Sequence, residues 1–394
     1  MCNIAQTDDT FVAHTYRRFP VTIVSGHGSV AVGDDGKTYI DMGSGIGVTA
    51  FGYADPVWNA AVTAQLARVQ HTSNLYYTAP AAELAELLCR RTGMKRVFFS
   101  NSGAEANECA IKAARRYAAQ HKGEEYYTIL TLENSFHGRT LTTLSATGQP
   151  GFHQLYRPLT PGFAAVPADD LDAVRQQIRS QKAAGILIEC IRGEGGVLPL
   201  EPAFAAGLQE LAQKEDILLM VDEVQTGNGR TGSLYAYMGY GLTPDVVTTA
   251  KGLGGGLPIG ATLLGERVAD IFAPGDHGST FGGNPVCCAG ALSVLSRLDE
   301  AFLADVRRKS DRIFDTLTGR PGIRSVTGRG LMIGIETVRP AADVVRGCLE
   351  HGVLCLTAKH KVRLLPALNI PDDLLDQALA CICAECAKEE NHDA

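Results

Sequence analysis

No stretch of this chain approaches the ~20 consecutive apolar residues that a bilayer-crossing helix needs. Runs such as Ile217–Val221 stop after a handful of residues. No run of five Lys or Arg residues occurs, and 36 basic against 43 acidic side chains leave a net charge of −7. Nucleic-acid binders carry a basic face, so that class is disfavoured. The start, MCNIAQTDDT, lacks the basic and apolar regions of a secretory leader. Its 11 cysteines are odd in number and scattered in apolar contexts, which predicts reduced thiols and a cytoplasmic protein rather than a disulfide framework. There is no G-x-y period, no low-complexity segment and no internal repeat.

Glycine is in excess, at 43 of 394 residues, about 11% against a usual ~7%. With 45% hydrophobic and 20% charged residues the chain is globular, so each glycine is a candidate tight turn or close approach to a ligand. Short extended runs around Ser29–Val32 and Thr38–Asp41 predict a β-meander before residue 50. Helices are predicted at 56–70 and 80–91. Strands at 96–100, 126–132, 185–190, 217–222, 246–250 and 261–264 alternate with helices at 104–120, 168–180 and 202–214. That alternation predicts a mainly parallel sheet covered on both faces. Beyond residue 296 come helices at 298–317, 340–351 and 371–388 with short strands between. The expected architecture is α/β: a large domain over 50–296 and a smaller α+β domain from 1–49 plus 297–394.

Chemistry concentrates after the strands. Ile217–Val221 runs into Asp222 and Glu223. A carboxylate at a parallel strand's C-terminal end serves either Mg²⁺ in a nucleotide hydrolase or the protonated ring nitrogen of a cofactor. The hydrolase needs G-x-x-x-x-G-K-[ST]. Around Gly36-Lys37-Thr38, the position five before Gly36 is Ala31, so that motif fails and Asp34-Asp35-Gly36 reads as a hairpin turn. Gly252–Gly256 lacks the third glycine of a dinucleotide fingerprint. Lys251 follows an apolar strand and precedes a glycine cluster. Burial there lowers an amine's pKa and suits it to imine chemistry. Ser100–Glu108 joins a strand to a helix whose free N–H groups, with the Ser102 hydroxyl, form an anion site. Phe136 and Arg139, after the strand ending near Leu132, could stack on a ring and hold a carboxylate. Glu194 lies among glycines at another strand end, and Ser279 and Thr280 precede a helix start. Lysine, ring-pairing acid, phosphate site and aromatic together form a set suited to pyridoxal 5′-phosphate.

The motifs SNSGAEANE, SFHGRT, GEGG, VDEVQTGNGRTG, TTAKGLGGGLPIGA and GSTFGGNP closely resemble those of the class III, ornithine-type, aminotransferases, over about residues 19–370. The resemblance implies the fold type I of pyridoxal-phosphate enzymes. Lys251 and Asp222 would be catalytic, Lys251 linking the cofactor and moving the proton, Asp222 pairing with the pyridine nitrogen. Ser102, Gly103, Ala104, Phe136 and Gln225 would hold the cofactor, Gln225 at its ring hydroxyl. Thr280 would reach the phosphate across a homodimer interface, so active sites are shared between subunits. Arg139, Ser279 and Arg363 would bind substrate, Arg363 taking the 2-oxoglutarate α-carboxylate while Glu194 masks it in the amine-donor half-reaction. Segments 71–77, 144–150 and 276–281 point to an acylated ω-amino acid, N²-acetyl-L-ornithine first, as donor. The implied products are N-acetyl-L-glutamate 5-semialdehyde and glutamate, a step of arginine biosynthesis. Succinylornithine, ornithine, 4-aminobutyrate and acetyllysine are alternative donors. Asn228 stands where relatives often carry a hydrophobic residue, and is expected to matter little. Cys381, Cys383 and Cys386 read as packing and thiol residues, and no metal is expected.

Overall fold

The computed structural model describes residues 4–389. Three antiparallel strands lie near the start of the chain: β1 (Ile23–His27), β2 (Val30–Gly33) and β3 (Thr38–Asp41). Gly36 closes the β2–β3 turn with φ +81°, the left-handed geometry that glycine adopts without strain. The predicted hairpin therefore stands. The strands that follow are β4 (Arg96–Ser100), β5 (Thr128–Leu132), β6 (Phe163–Val166), β7 (Ala183–Ile188), β8 (Ile191–Arg192), β9 (Leu198–Pro199), β10 (Leu218–Asp222), β11 (Val246–Thr249) and β12 (Gly260–Leu264).

Seven of them form one sheet in the order β4-β12-β11-β10-β7-β5-β6. All neighbours pair in parallel except β12, which runs antiparallel to both β4 and β11. Strands of such a sheet are buried on both sides. Along β10, Leu218 and Met220 join the cluster containing Ala110 and Ala114 of the helix Gly103–His121. Leu219 and Val221 join the cluster containing Leu208 and Leu211 of the helix Pro202–Lys214. The pleat sends alternate side chains to opposite layers, so Asp222 and Glu223, adjacent in sequence, diverge. Because the strands are parallel, the segments after β4, β5, β7, β10 and β11 emerge at the same edge.

The last strands are β13 (Ile323–Arg329), β14 (Met332–Thr337), β15 (Val353–Leu354), β16 (Leu356–Ala358) and β17 (Lys361–Leu364). A four-stranded sheet orders β13-β14-β17-β16, and β15 pairs in parallel with β3, so both ends of the chain share a sheet.

Most predicted elements recur with ends moved by one to four residues, and several short elements were not foreseen. Ile4–Phe11 is helical but buries no side chain, so no apolar stripe marks it. The helix Leu141–Ala146 and strand β6 are too short to show a period. The helix expected from 168 starts at Leu171, because the Asp170 side chain caps it by accepting from Ala173 N. No helix among the described residues is long and apolar enough to cross a membrane. The ten cysteines of that span are free. In the C-terminal helix (Asp372–Cys386), Cys386 is buried while Cys381 and Cys383 are half-buried against the core.

Candidate active site

A cavity of about 630 Å³ opens at that sheet edge, walled by Ser102, Phe136, Asp222, Gln225 and Lys251 among others. Several segments build it.

Ser102 ends the segment after β4 and caps the helix Gly103–His121, its hydroxyl accepting from Glu105 N at 3.2 Å. Glu105 reciprocates by accepting from Asn101 N at 2.8 Å, a capping arrangement that positions the first turn. The N–H groups of Gly103 and Ala104, in the first turn, have no acceptor within the helix, an arrangement suited to an anion. A Cβ on Gly103 would lie 2.6 Å from Val224 Cγ1, so only glycine fits there.

Asp222 ends β10 and is 4% exposed. Its Oδ2 accepts from Asn107 Nδ2 at 2.7 Å and from His137 Nδ1 at 2.8 Å, and its Oδ1 from Val224 N at 3.0 Å. Asn107 is fixed in turn by Thr248 Oγ1, which donates to its Oδ1 at 2.7 Å. The carboxylate assigns the proton of His137 to Nδ1. His137 Nε2 is buried without a partner.

Lys251 follows β11 with φ +44°, an uncommon conformation for a side-chain-bearing residue. The protein around Lys251 lowers the pKa of its amine by desolvation, against the opposing charges of Glu194 and Asp222. Asn228 braces this segment: its Nδ2 donates to Thr249 Oγ1 at 2.9 Å and to the Ala250 carbonyl at 3.2 Å. Asn228 itself has φ +57°, a region that asparagine tolerates better than most residues. The expectation that this position matters little omitted that contact.

Phe136 lines the cavity edge-on to Phe152, with centroids 6.0 Å apart. Arg139 is exposed, stacks over the Phe152 ring at 4.5 Å and makes no ion pair with another described residue.

Glu194 sits in the turn of the β8–β9 hairpin, and Arg363 on β17 donates from Nη1 to its Oε1 at 2.5 Å. Burial pushes the Glu194 carboxyl up, but the charge and hydrogen bond of Arg363 outweigh it and hold it below its ordinary value. Gln225 joins the pair, donating to Glu194 Oε1 at 3.2 Å and accepting from Arg363 Nη1 at 3.3 Å.

Ser279 and Thr280 are not part of this wall. Ser279 Oγ accepts from Asn101 Nδ2 at 3.2 Å, and Thr280 is exposed. Sequence reasoning assigned nothing to Asn107, His137, Glu189 or Tyr16, all of which line the cavity. Asn107 was legible, since it lies four residues after Gly103 and hence on the same helix face. Tyr16 reaches the cavity from a segment with no motif.

These residues fit pyridoxal 5′-phosphate: a helix start for the phosphate, an acid held by three donors for the ring nitrogen, an aromatic wall and a desolvated lysine. Fold and site together define a pyridoxal-phosphate enzyme of fold type I. The model of the class-III aminotransferase family matches residues 11–384. Acetylornithine aminotransferase of Haemophilus ducreyi is 50% identical over 381 residues, 96% of this chain and 97% of that protein. Its Aquifex aeolicus namesake is 44% identical over 375 residues, 95% and 99% of the two chains. Ornithine aminotransferase of Toxoplasma gondii superposes with a TM-score of 0.92 at 31% identity, covering 98% of this chain and 94% of that one. N-acetylornithine aminotransferase of Stenotrophomonas maltophilia gives 0.83 at 34% identity, covering 95% and 98%. The chain belongs to the class-III aminotransferases, and pyridoxal 5′-phosphate is its cofactor.

Proposed function

We propose that this enzyme moves the δ-amino group of N²-acetyl-L-ornithine to 2-oxoglutarate, a step of arginine biosynthesis, in two half-reactions at one site. The donor rests on the names of its full-length relatives at 40–50% identity. The mechanism rests on one observation: a masked arginine, Arg363 under Glu194, beside a cavity that also holds Lys251 and Asp222.

The cofactor supplies an electron sink for the pair left on the amine-bearing carbon when its proton departs. Lys251 Nζ would take up that proton and give it back to the cofactor. Desolvation favours the neutral amine that this requires. Asp222, pinned by Asn107 and His137, keeps the ring nitrogen's proton in place, and Phe136 packs on the ring face. Ser102, Gly103 and Ala104 hold the phosphate. Arg139, free of an internal carboxylate, binds the donor's carboxylate and then the distal carboxylate of 2-oxoglutarate. Glu194 masks Arg363 in the first half-reaction and must leave in the second, when the α-carboxylate takes its place. Gln225 bridges Glu194 and Arg363 and would hydrogen-bond the ring hydroxyl of the cofactor. With a net charge of −7, attraction of anionic substrates falls to these local arginines rather than to the overall field.

We also read the protein as a cytoplasmic homodimer, with Thr280 and Ser279 serving the partner's site. Exposed Leu75, Tyr77 and Phe281 lie around that loop, and Asn74 Nδ2 ties it by donating to Ser279 O and Gly282 O, each at 2.9 Å. The division into 50–296 and 1–49 plus 297–394 is part of the same reading, supported by the β3–β15 pairing.

Adding N-acetylornithine to the purified holoenzyme should bleach the visible absorbance of the lysine-linked cofactor, and 2-oxoglutarate should restore it. Ornithine, succinylornithine, 4-aminobutyrate and acetyllysine should bleach it more slowly. A visible band that persists in Lys251→Ala, or a faster bleach by ornithine, contradicts the reading.

A further inference from the structure

Glu189 is a buried carboxylate that the mechanism leaves unused. It follows β7 directly and lines the cavity. Its two oxygens are divided between two loops. Oε2 accepts from Phe136 N at 2.9 Å, in the aromatic segment after β5. Oε1 accepts from Gly193 N at 3.3 Å, at the root of the hairpin turn that carries Glu194.

The two loops also touch elsewhere. A Cβ on Gly195 would lie 2.5 Å from the Asn134 carbonyl oxygen. Arg192 Nη1 donates to the Glu133 carbonyl at 3.2 Å. The turn is therefore packed closely against residues 133–134, with Gly195 against the Asn134 carbonyl and the Arg192 side chain tied to Glu133. A residue four positions before Gly193 holds it there.

We propose that Glu189 is a positioning residue: by bonding Phe136 N and Gly193 N at once, it seats the hairpin so that Glu194 stays on Arg363. The inference rests on the masking role proposed above for Glu194. The mask then depends on the aromatic loop as well as on its own ion pair.

A glutamine at 189 offers one acceptor oxygen and one NH₂ group, so it can match only one of the two amide donors. The hairpin loosens, Glu194 spends less time on Arg363, and a dicarboxylate meets less competition. General loosening of the site would instead weaken binding, so the sign of the change separates positioning from bulk structural damage.

The test is calorimetric binding of glutarate, an unreactive dicarboxylate, to holoenzyme carrying Glu189→Gln, Glu194→Gln or both. Glu194→Gln should tighten glutarate. Glu189→Gln should tighten it about five-fold, the worth of one hydrogen bond, and the double variant should bind no tighter than Glu194→Gln alone. Glu189→Asp, which can reach only one donor, should show the same sign and serves if the glutamine variant does not fold. Unchanged or weaker binding in both Glu189 variants while Glu194→Gln tightens overturns the positioning role, as do additive gains in the double variant. If Glu194→Gln itself changes nothing, the mask falls and the inference falls with it.

Discussion

Arg363 is 3% exposed, and among the described residues its one carboxylate partner is Glu194, 169 residues earlier in the chain. A guanidinium so buried must keep an acid beside it or be given one by substrate. Arg363→Lys keeps the charge but loses the planar fork that grips a carboxylate with two bonds. The value of kcat/KM for 2-oxoglutarate should fall about 10- to 100-fold, in line with the worth of charge-assisted hydrogen bonds. The donor half-reaction should change much less. Separate stopped-flow measurements of the two half-reactions check this split.

At the phosphate site, Gly103→Ala should weaken cofactor binding, because the new methyl lands on the Val224 side chain. Shortening that neighbour removes the obstacle, so Gly103→Ala with Val224→Ala should regain most of the affinity. Titration of the apoenzyme with cofactor, followed by fluorescence, distinguishes the two. If the double variant binds no better than the single one, steric conflict is not the reason for glycine here.

Asn228 supplies a further test, since its amide holds the Ala250 carbonyl one residue before Lys251. Asn228→Ala loses both hydrogen bonds and places a residue less tolerant of positive φ at +57°. A loss of about 1–2 kcal/mol in stability should follow. Asn228→Gly, which keeps the backbone geometry, should lose only the hydrogen-bond part. Denaturant titrations of the two variants separate these contributions.

Glu223 makes stability depend on pH. It is fully buried, accepting from Thr226 Oγ1 at 2.6 Å and from Tyr237 N at 2.7 Å. Burial outweighs these bonds and pushes its carboxyl up to about 7. The folded state thus keeps a proton that the unfolded state has lost above its ordinary carboxyl range. Stability therefore declines as pH rises from about 5 through 7, and the decline ends above the folded value. The urea midpoint should be lower at pH 8 than at pH 5.5, and Glu223→Gln should flatten this difference. A wild-type midpoint that rises over this interval contradicts the assignment.

The strand-ends that carry chemistry were legible because a parallel sheet places them together whatever its strand order. Lys251, Asp222 and Ser102 could be named from strand-then-loop patterns, and all three line one cavity. Tyr16 and His137 could not. The first comes from a terminal segment without periodicity, and the second is distinguished only by the buried carboxylate beside it. Gln225 was expected at the cofactor ring, and its bridge between Glu194 and Arg363 could not be read from a motif that ends long before residue 363.

Periodicity, turn chemistry and local motifs thus carried the α/β architecture, the glycine-rich loops and the choice of cofactor, because each depends on neighbours within a few residues. The sheet's one antiparallel strand, the Asn107–Asp222–His137 network, the brace at Asn228 and the mask on Arg363 depend on segments tens to hundreds of residues apart. Such contacts form only when burial brings those segments to the same edge, and no local pattern encodes which side chains will meet there.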